Sequence, residues 1–253
     1  MKTQAEGILL KRHLKTYPAP RFWPIRIKER EFAVRPSPGP HPLKYSIPLG
    51  IVLRDVLNYA TTIGEAKKIL SERKVMVDGK VRTDYKYPLG LMDVLHLRPS
   101  NEYYRVLPHP VKKLSLVKIS PEEATFKLVR VAGKRILKGG RVQLNFHDGR
   151  SYSIKVDDPF NIQVGYKLYD TVKLTIPEGE ITDHIPLEPG AFVCVIGGSN
   201  IGKYGEVVES PATRSKDQLV KVRIEGVEST VTLKYLFPIG KGSPIINISG
   251  VVS

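Results

Sequence analysis

The sequence predicts an α+β chain that is mostly β, from three observations. From residue 103 onward, apolar and polar residues alternate in short runs separated by Gly, Asp and Pro turns. Apolar residues at helical spacing are confined to the start of the stretch 49–98. The first 44 residues hold seven prolines, which remove amide donors and favour extended backbone. Four units follow: an extended basic, Pro-rich arm over 1–44, a small αα-β module over 45–98, a central β-barrel-like domain over 99–176, and a small C-terminal barrel with its tail over 177–253.

Composition narrows the function. The 253 residues carry 40 Lys+Arg against 25 Asp+Glu, a net charge of +15. With 41% apolar residues the chain has enough material for packed cores. The charge is uneven: residues 1–150 hold 30 basic and 13 acidic groups, whereas residues 151–200 hold 3 and 7. A polyanion against the N-terminal side is the simplest partner. One cysteine, Cys194, excludes a disulfide framework and a thiolate zinc site. No apolar run approaches the ~20 residues that span a bilayer, and the start lacks a signal-peptide apolar core, so a soluble intracellular protein is expected.

In the arm, Lys11, Arg12, Lys15, Arg21, Arg26, Lys28, Arg30, Arg35 and Lys44 stand among the prolines, with Phe22 and Trp23 inserted. The two aromatics suit either packing on a domain or stacking on bases, and the arm is expected to order on a partner. In the module, Leu53, Val56, Leu57 and Ala60 mark a first helix, and Thr62 with Glu65 forms a capping-box signature for a second. Ala66, Ile69 and Leu70 supply the apolar stripe of that second helix. Asp78-Gly79 suits a tight turn between short strands, and MDVLHL (92–97) is a final strand. Arg54 on the first helix, Lys67, Lys68, Arg73 and Lys74 on the second, and Lys80 and Arg82 on the hairpin form a candidate phosphate-binding surface.

Strands are expected at 126–131, 141–146, 151–156 and 171–176, with His147-Asp148-Gly149-Arg150 as a polar hairpin tip. Cys194 lies in a strand and suits a core. Within GGSNIGKY (197–204) the sequence G-x-x-x-x-G-K is nearly a phosphate-cradling loop, but Tyr204 replaces the Ser or Thr that holds magnesium. The six histidines are scattered without metal-ligand pairing, so neither a metal nor a cofactor is expected.

The module resembles the small RNA-binding domain shared by a bacterial small-subunit ribosomal protein, tyrosyl-tRNA synthetases and many pseudouridine synthases. VDGKVRTDYKYPLGLMDV (77–94), HLKTYPAPRFWPIRI (13–27) and RPSPGPHPLK (35–44) resemble, in that order, the ribosomal protein S4e family of archaea and eukaryotes. Thr16 stands where that family usually carries a basic residue, and the short C-terminal end points to the archaeal form. EPGAFVCVIGGSNIGKYGEVVE (188–209) resembles the KOW motif, whose loop 198–205, with Lys203, is either a contact edge or a set of barrel turns. The resemblance implies a structural, non-enzymatic constituent of the small (30S) ribosomal subunit in the cytoplasm. Its partners would be small-subunit rRNA and neighbouring ribosomal proteins, with no membrane and no homo-oligomer. An RNA-modifying enzyme would need an aspartate nucleophile, for which Asp157, Asp158 and Asp170 have no accompanying constellation. A KOW-containing transcription factor would leave the arm unexplained.

Overall fold

The computed structural model describes residues 13–155, 165–209 and 215–248. Lys11, Arg12, Asp157 and Asp158 lie outside them. The arm forms a two-stranded ribbon, β1 (Leu14–Lys15) with β2 (Phe32–Ala33). Thr16 closes its base, its hydroxyl donating to the carbonyl of Arg30 at 2.8 Å. The arm, expected to order on a partner, is packed against its own module. Trp23 is 3% exposed and shares a core with Leu49, Leu53, Leu70 and Leu89. Its indole N–H donates to the carbonyl of Ser46 at 2.8 Å, which meets the polar requirement of a buried Trp.

The module begins with β3 (Ser46–Pro48) and α1 (Leu49–Ile51), whose helix continues as a π turn over Val52–Val56. The Leu57 amide reaches the Val52 carbonyl, an i to i+5 bond. In α2 (Ile63–Ser71) the Thr62 hydroxyl accepts from the Glu65 amide at 3.1 Å, as the capping signature requires. The Glu65 carboxylate instead reaches one residue further, to the Thr61 amide at 2.7 Å. Next come β4 (Val75–Val77) and β5 (Lys80–Val81), joined by Asp78-Gly79 with φ of 49° and 72°. They are followed by β6 (Pro88–Gly90), β7 (Val94–Leu97), β8 (Glu102–His109) and β9 (Lys113–Ile119). Strand β6 pairs with β3, and the others form an antiparallel sheet in the order β5-β4-β7-β8-β9.

The central unit is a five-stranded antiparallel sheet, β12-β11-β10-β13-β14. Its strands are β10 (Phe126–Leu137), β11 (Arg141–Phe146), β12 (Ser151–Lys155), β13 (Thr171–Thr175) and β14 (Ile181–Ile185). A bulge at Val131/Gly133 divides β10, whose first half pairs with β13 and whose second half pairs with β11. The C-terminal unit orders β18-β17-β16-β15-β19. These are β15 (Ala191–Val195), β16 (Tyr204–Val207), β17 (Leu219–Ile224), β18 (Val227–Thr232) and β19 (Leu236–Lys241). Cys194 is fully buried there. Sheet pairing runs across the expected divisions at 98/99 and 176/177, because β8–β9 hydrogen-bonds to the module and β14 to the central sheet. Among the described residues no helix is long and apolar enough to cross a membrane.

The units meet at a buried ionic cluster. Lys127 of β10 is enclosed by Asp93 at 2.5 Å, Asp78 at 2.8 Å and Asp148 at 3.1 Å. Arg150 adds contacts to Asp78 at 2.7 Å and Asp148 at 3.3 Å, and His41 of the arm donates to Asp93 at 3.1 Å. The polar hairpin tip expected at 147–150 is therefore folded inward, since Asp148 is needed to balance Lys127. Behind it, Arg130 donates to the carbonyls of Lys234 and Leu236, at 2.9 and 2.6 Å, tying the central sheet to the C-terminal one.

Candidate nucleic-acid interface

Two of the expected cations, Lys67 and Arg82, are held by a pair of tyrosines in the loop between β5 and β6, where Lys86, which was not among those expected, joins them. The Lys67 ammonium of α2 lies 4.4 Å above the Tyr85 ring, and Lys86 approaches the same ring at 5.6 Å. The Arg82 guanidinium stacks on Tyr87 at 4.3 Å. Such cation–π contacts fix long side chains in place without neutralising them. Tyr87 is itself pushed up to about 12, by burial first and then by the charge of Asp93. Lys68 of α2 and Lys80 of β5 are exposed.

The expected set is corrected in several places. Trp23 has no free face for a base, because it is buried and its N–H is bonded. Arg73 and Lys74 were expected on the second helix, yet α2 ends at Ser71 and Arg73 takes a left-handed φ of 56°. This turn closes the helix, with the Arg73 amide on the Leu70 carbonyl at 3.0 Å, and leaves the Arg73 side chain exposed. Lys74 is paired with Glu72, which holds that carboxyl below the usual range. Arg54 is mostly buried and bidentate to Asp55, at 2.8 and 2.6 Å. Arg26 pairs with Glu29 at 2.7 Å, and Lys15 with Glu31 at 3.2 Å. Arg26 and Arg54 face each other across a cleft of about 290 Å³ between arm and α1, which Arg30, Glu29 and Asp55 also line. Arg21, Arg35 and Lys44 remain exposed on the arm.

At the C-terminal sheet, the loop over 198–205 faces partly inward. Gly202 has φ of 77°, and a Cβ there would lie 2.5 Å from Pro110 of the β8–β9 turn. Lys203 is exposed beside it. The loop leads into strand β16 rather than a helix, so no helix N-terminus caps it. Asp170 is buried, with its oxygens accepting from the Leu187 and Lys167 amides at 2.9 Å and facing His184 at 3.0 Å. It holds two loops and has no free face for a nucleophile.

Sequence reasoning missed the internal cations. Lys127 and Arg105 are enclosed and Arg130 is half-buried, and Arg105 donates to the carbonyls of Glu123 and Phe126 at 2.7 and 3.0 Å. Burial lowers both Arg105 and Arg130 to about 10. The one signal was position: Lys127 and Arg130 sit within the apolar run FKLVRV.

The fold and these cations define a class: a basic, mostly β protein built on an arm-wrapped αα–hairpin module, with exposed cations on its second helix and hairpin. Residues 100–181 match the model of ribosomal family S4e, residues 10–44 that of the RS4NT (NUC023) domain and residues 51–95 that of the S4 domain. Small ribosomal subunit protein eS4 of Staphylothermus marinus is 47% identical over 241 residues, covering 94% of this chain and 96% of the relative. Its counterpart in Ignicoccus hospitalis is 47% identical over 94% of this chain and 95% of the relative. The crystal structure of the 30S ribosomal protein S4e from Thermoplasma acidophilum superposes with a TM-score of 0.64 at 29% identity, covering 78% of this chain and 96% of that one. The chain belongs to the S4e family of small-subunit ribosomal proteins.

Proposed function

We propose that this chain is a structural constituent of the small ribosomal subunit that binds rRNA through phosphate contacts made by α2 and the β5–β6 loop. The observation that carries the reading is the edge formed by α2 and its closing turn, where Lys67, Lys68 and Arg73 are exposed without an ion pair to a described residue, with Lys80 likewise exposed on β5. Tyr85 and Tyr87 orient Lys67 and Arg82 there. A cationic edge on a rigid helix–turn unit reads backbone shape, and phosphate neutralisation supplies the affinity. The arm cations Arg21, Arg35 and Lys44 extend the contact, and Lys203 adds one from the C-terminal, KOW-like loop. Neighbouring ribosomal proteins and the cytoplasm of an archaeal cell complete this assignment, with no catalytic step.

Replacing Lys67, Lys68 and Arg73 together by Ala should lower affinity for small-subunit rRNA and reduce the log–log salt slope by about 2–3. The melting temperature should stay within a few degrees of wild type, because all three side chains are exposed. Unchanged affinity would show that this edge is only solvated.

A further inference from the structure

We infer that the outer face of the distal β10–β11–β12 sheet is a second, separate RNA-docking surface; the inference rests on the rRNA-binding function proposed above. The register places directly opposed residues on one face. One row is Leu137–Arg141–Lys155, the next Arg135–Gln143–Ser153 and the third Gly133–Asn145–Ser151. The opposite face carries Val142 and Leu144, which belong to the core of the central sheet, and Ile154, which packs against it, beside the exposed Lys134, Ile136 and Tyr152. Alternation thus sorts the cations Arg135, Arg141 and Lys155, and the hydrogen-bonding side chains Gln143, Asn145, Ser151 and Ser153, onto the solvent side.

Two features separate this face from a merely solvated one. No acidic residue occurs between Thr125 and Asp148, and Arg135, Arg141 and Lys155 have no ion pair among the described residues. Several cations exposed elsewhere, Lys15, Arg26, Lys118, Lys221 and Lys234, do have carboxylate partners. Moreover, Arg141 and Lys155 are direct cross-strand neighbours, an arrangement of like charges that destabilises a sheet unless an anion lies over it. The tip also projects: Gly139, at φ of 81°, has open space around it, and Ile136 is 64% exposed. A ribbon with spaced cations, amides and hydroxyls matches phosphates and 2′-hydroxyls, so the occupant is an RNA backbone.

The test uses the full chain with Arg135→Gln, Arg141→Gln and Lys155→Gln combined, bound to small-subunit rRNA and read by salt titration and backbone footprinting. The salt slope should fall by about 2–3, and one set of protected nucleotides should become reactive. Protections lost in the Lys67/Lys68/Arg73 variant should persist, and thermal stability should hold or rise as cross-strand repulsion is relieved. An unchanged slope and footprint would overturn the inference while leaving the module's role intact. An unchanged footprint with lost co-assembly of a neighbouring ribosomal protein would assign the face to protein and equally overturn it. If wild type gave no footprint at all, the rRNA reading and this inference would fall together.

Discussion

His147 lies where the arm, the central sheet and the C-terminal sheet meet: 6.0 Å from the His41 ring and edge-on to Phe237 at 5.4 Å. Its Nδ1 accepts from the Arg130 amide at 3.1 Å, so its Nε2 must carry the proton that it donates to the Leu91 carbonyl at 3.3 Å. That pattern fits only the neutral ring. Burial pushes its pKa down to about 3, against the pull of Asp148 and with help from Lys127. An unfolded histidine titrates near ~6.5, so below that pH the unfolded chain takes up a proton that the folded chain refuses. The stability is therefore full above ~6.5 and drains as pH falls toward 3. Asp93 adds to the loss at the acid end. Burial opposes its charge, but Lys127 and His41 outweigh that and hold its carboxyl below the usual range. Urea midpoints should fall between pH 7 and pH 4.5, and His147→Gln should flatten that dependence. An equal slope in the variant would place the titration elsewhere. The sequence marked 147–150 as a turn, which it is, but it gave no sign that the turn points inward, because Lys127 lies about twenty residues away on another strand.

At the scale of elements, the glycines show where units touch. A Cβ at Gly79 would lie 2.8 Å from Ile176 and Pro177, so the β4–β5 turn abuts the β13–β14 turn. Gly202 meets Pro110 in the same way. Gly202→Ala combines a left-handed φ with a clash against backbone, and it should cost about 1–3 kcal/mol. In amide exchange the loss should concentrate in β15, β16 and the β8–β9 turn, with α2 unaffected. Uniform loss of protection would mean that this junction is not local. Local chemistry made much of this legible. The Thr62 cap, the left-handed Asp78-Gly79 pair and the alternation at 126–131 and 141–146 each reflect forces acting within a few residues. The π turn in α1 and the left-handed Arg73 escaped prediction, because tertiary packing imposes them on residues with unremarkable local preference. Of the candidate site, the charges of α2 and β5 were readable. The pairing of Arg54 with Asp55 and the burial of Trp23 depend on what faces them.

For the whole molecule, the net charge of +15 mixes two populations of cations. Some lie on the outer edges of α2 and of the β10–β11–β12 face, while Lys127, Arg105 and Arg130 are internal fastenings. Lys127 is the extreme case. Burial disfavours its charge, yet Asp93, Asp78 and Asp148 raise its pKa above the ordinary lysine range. These partners come from the module and the central sheet, with Asp93 also bound by the arm through His41. Removing Lys127 would leave three buried carboxylates whose remaining side-chain partners are Arg150 for Asp78 and Asp148 and only the His41 ring for Asp93, a cost of about 3–5 kcal/mol. Because the cluster joins separate cores, the loss should appear as broken cooperativity as well as reduced stability. Trp23, the single tryptophan, sits in the core shared by arm and module, whereas far-ultraviolet dichroism is dominated by strands of the three five-stranded sheets. In wild type the two signals should melt together. In Lys127→Met, dichroism should begin to change at lower denaturant than tryptophan fluorescence, as the central sheet releases from a module that stays folded. Coincident transitions in the variant would show that the apolar contacts alone couple the units, and that the ionic cluster adds stability without adding cooperativity.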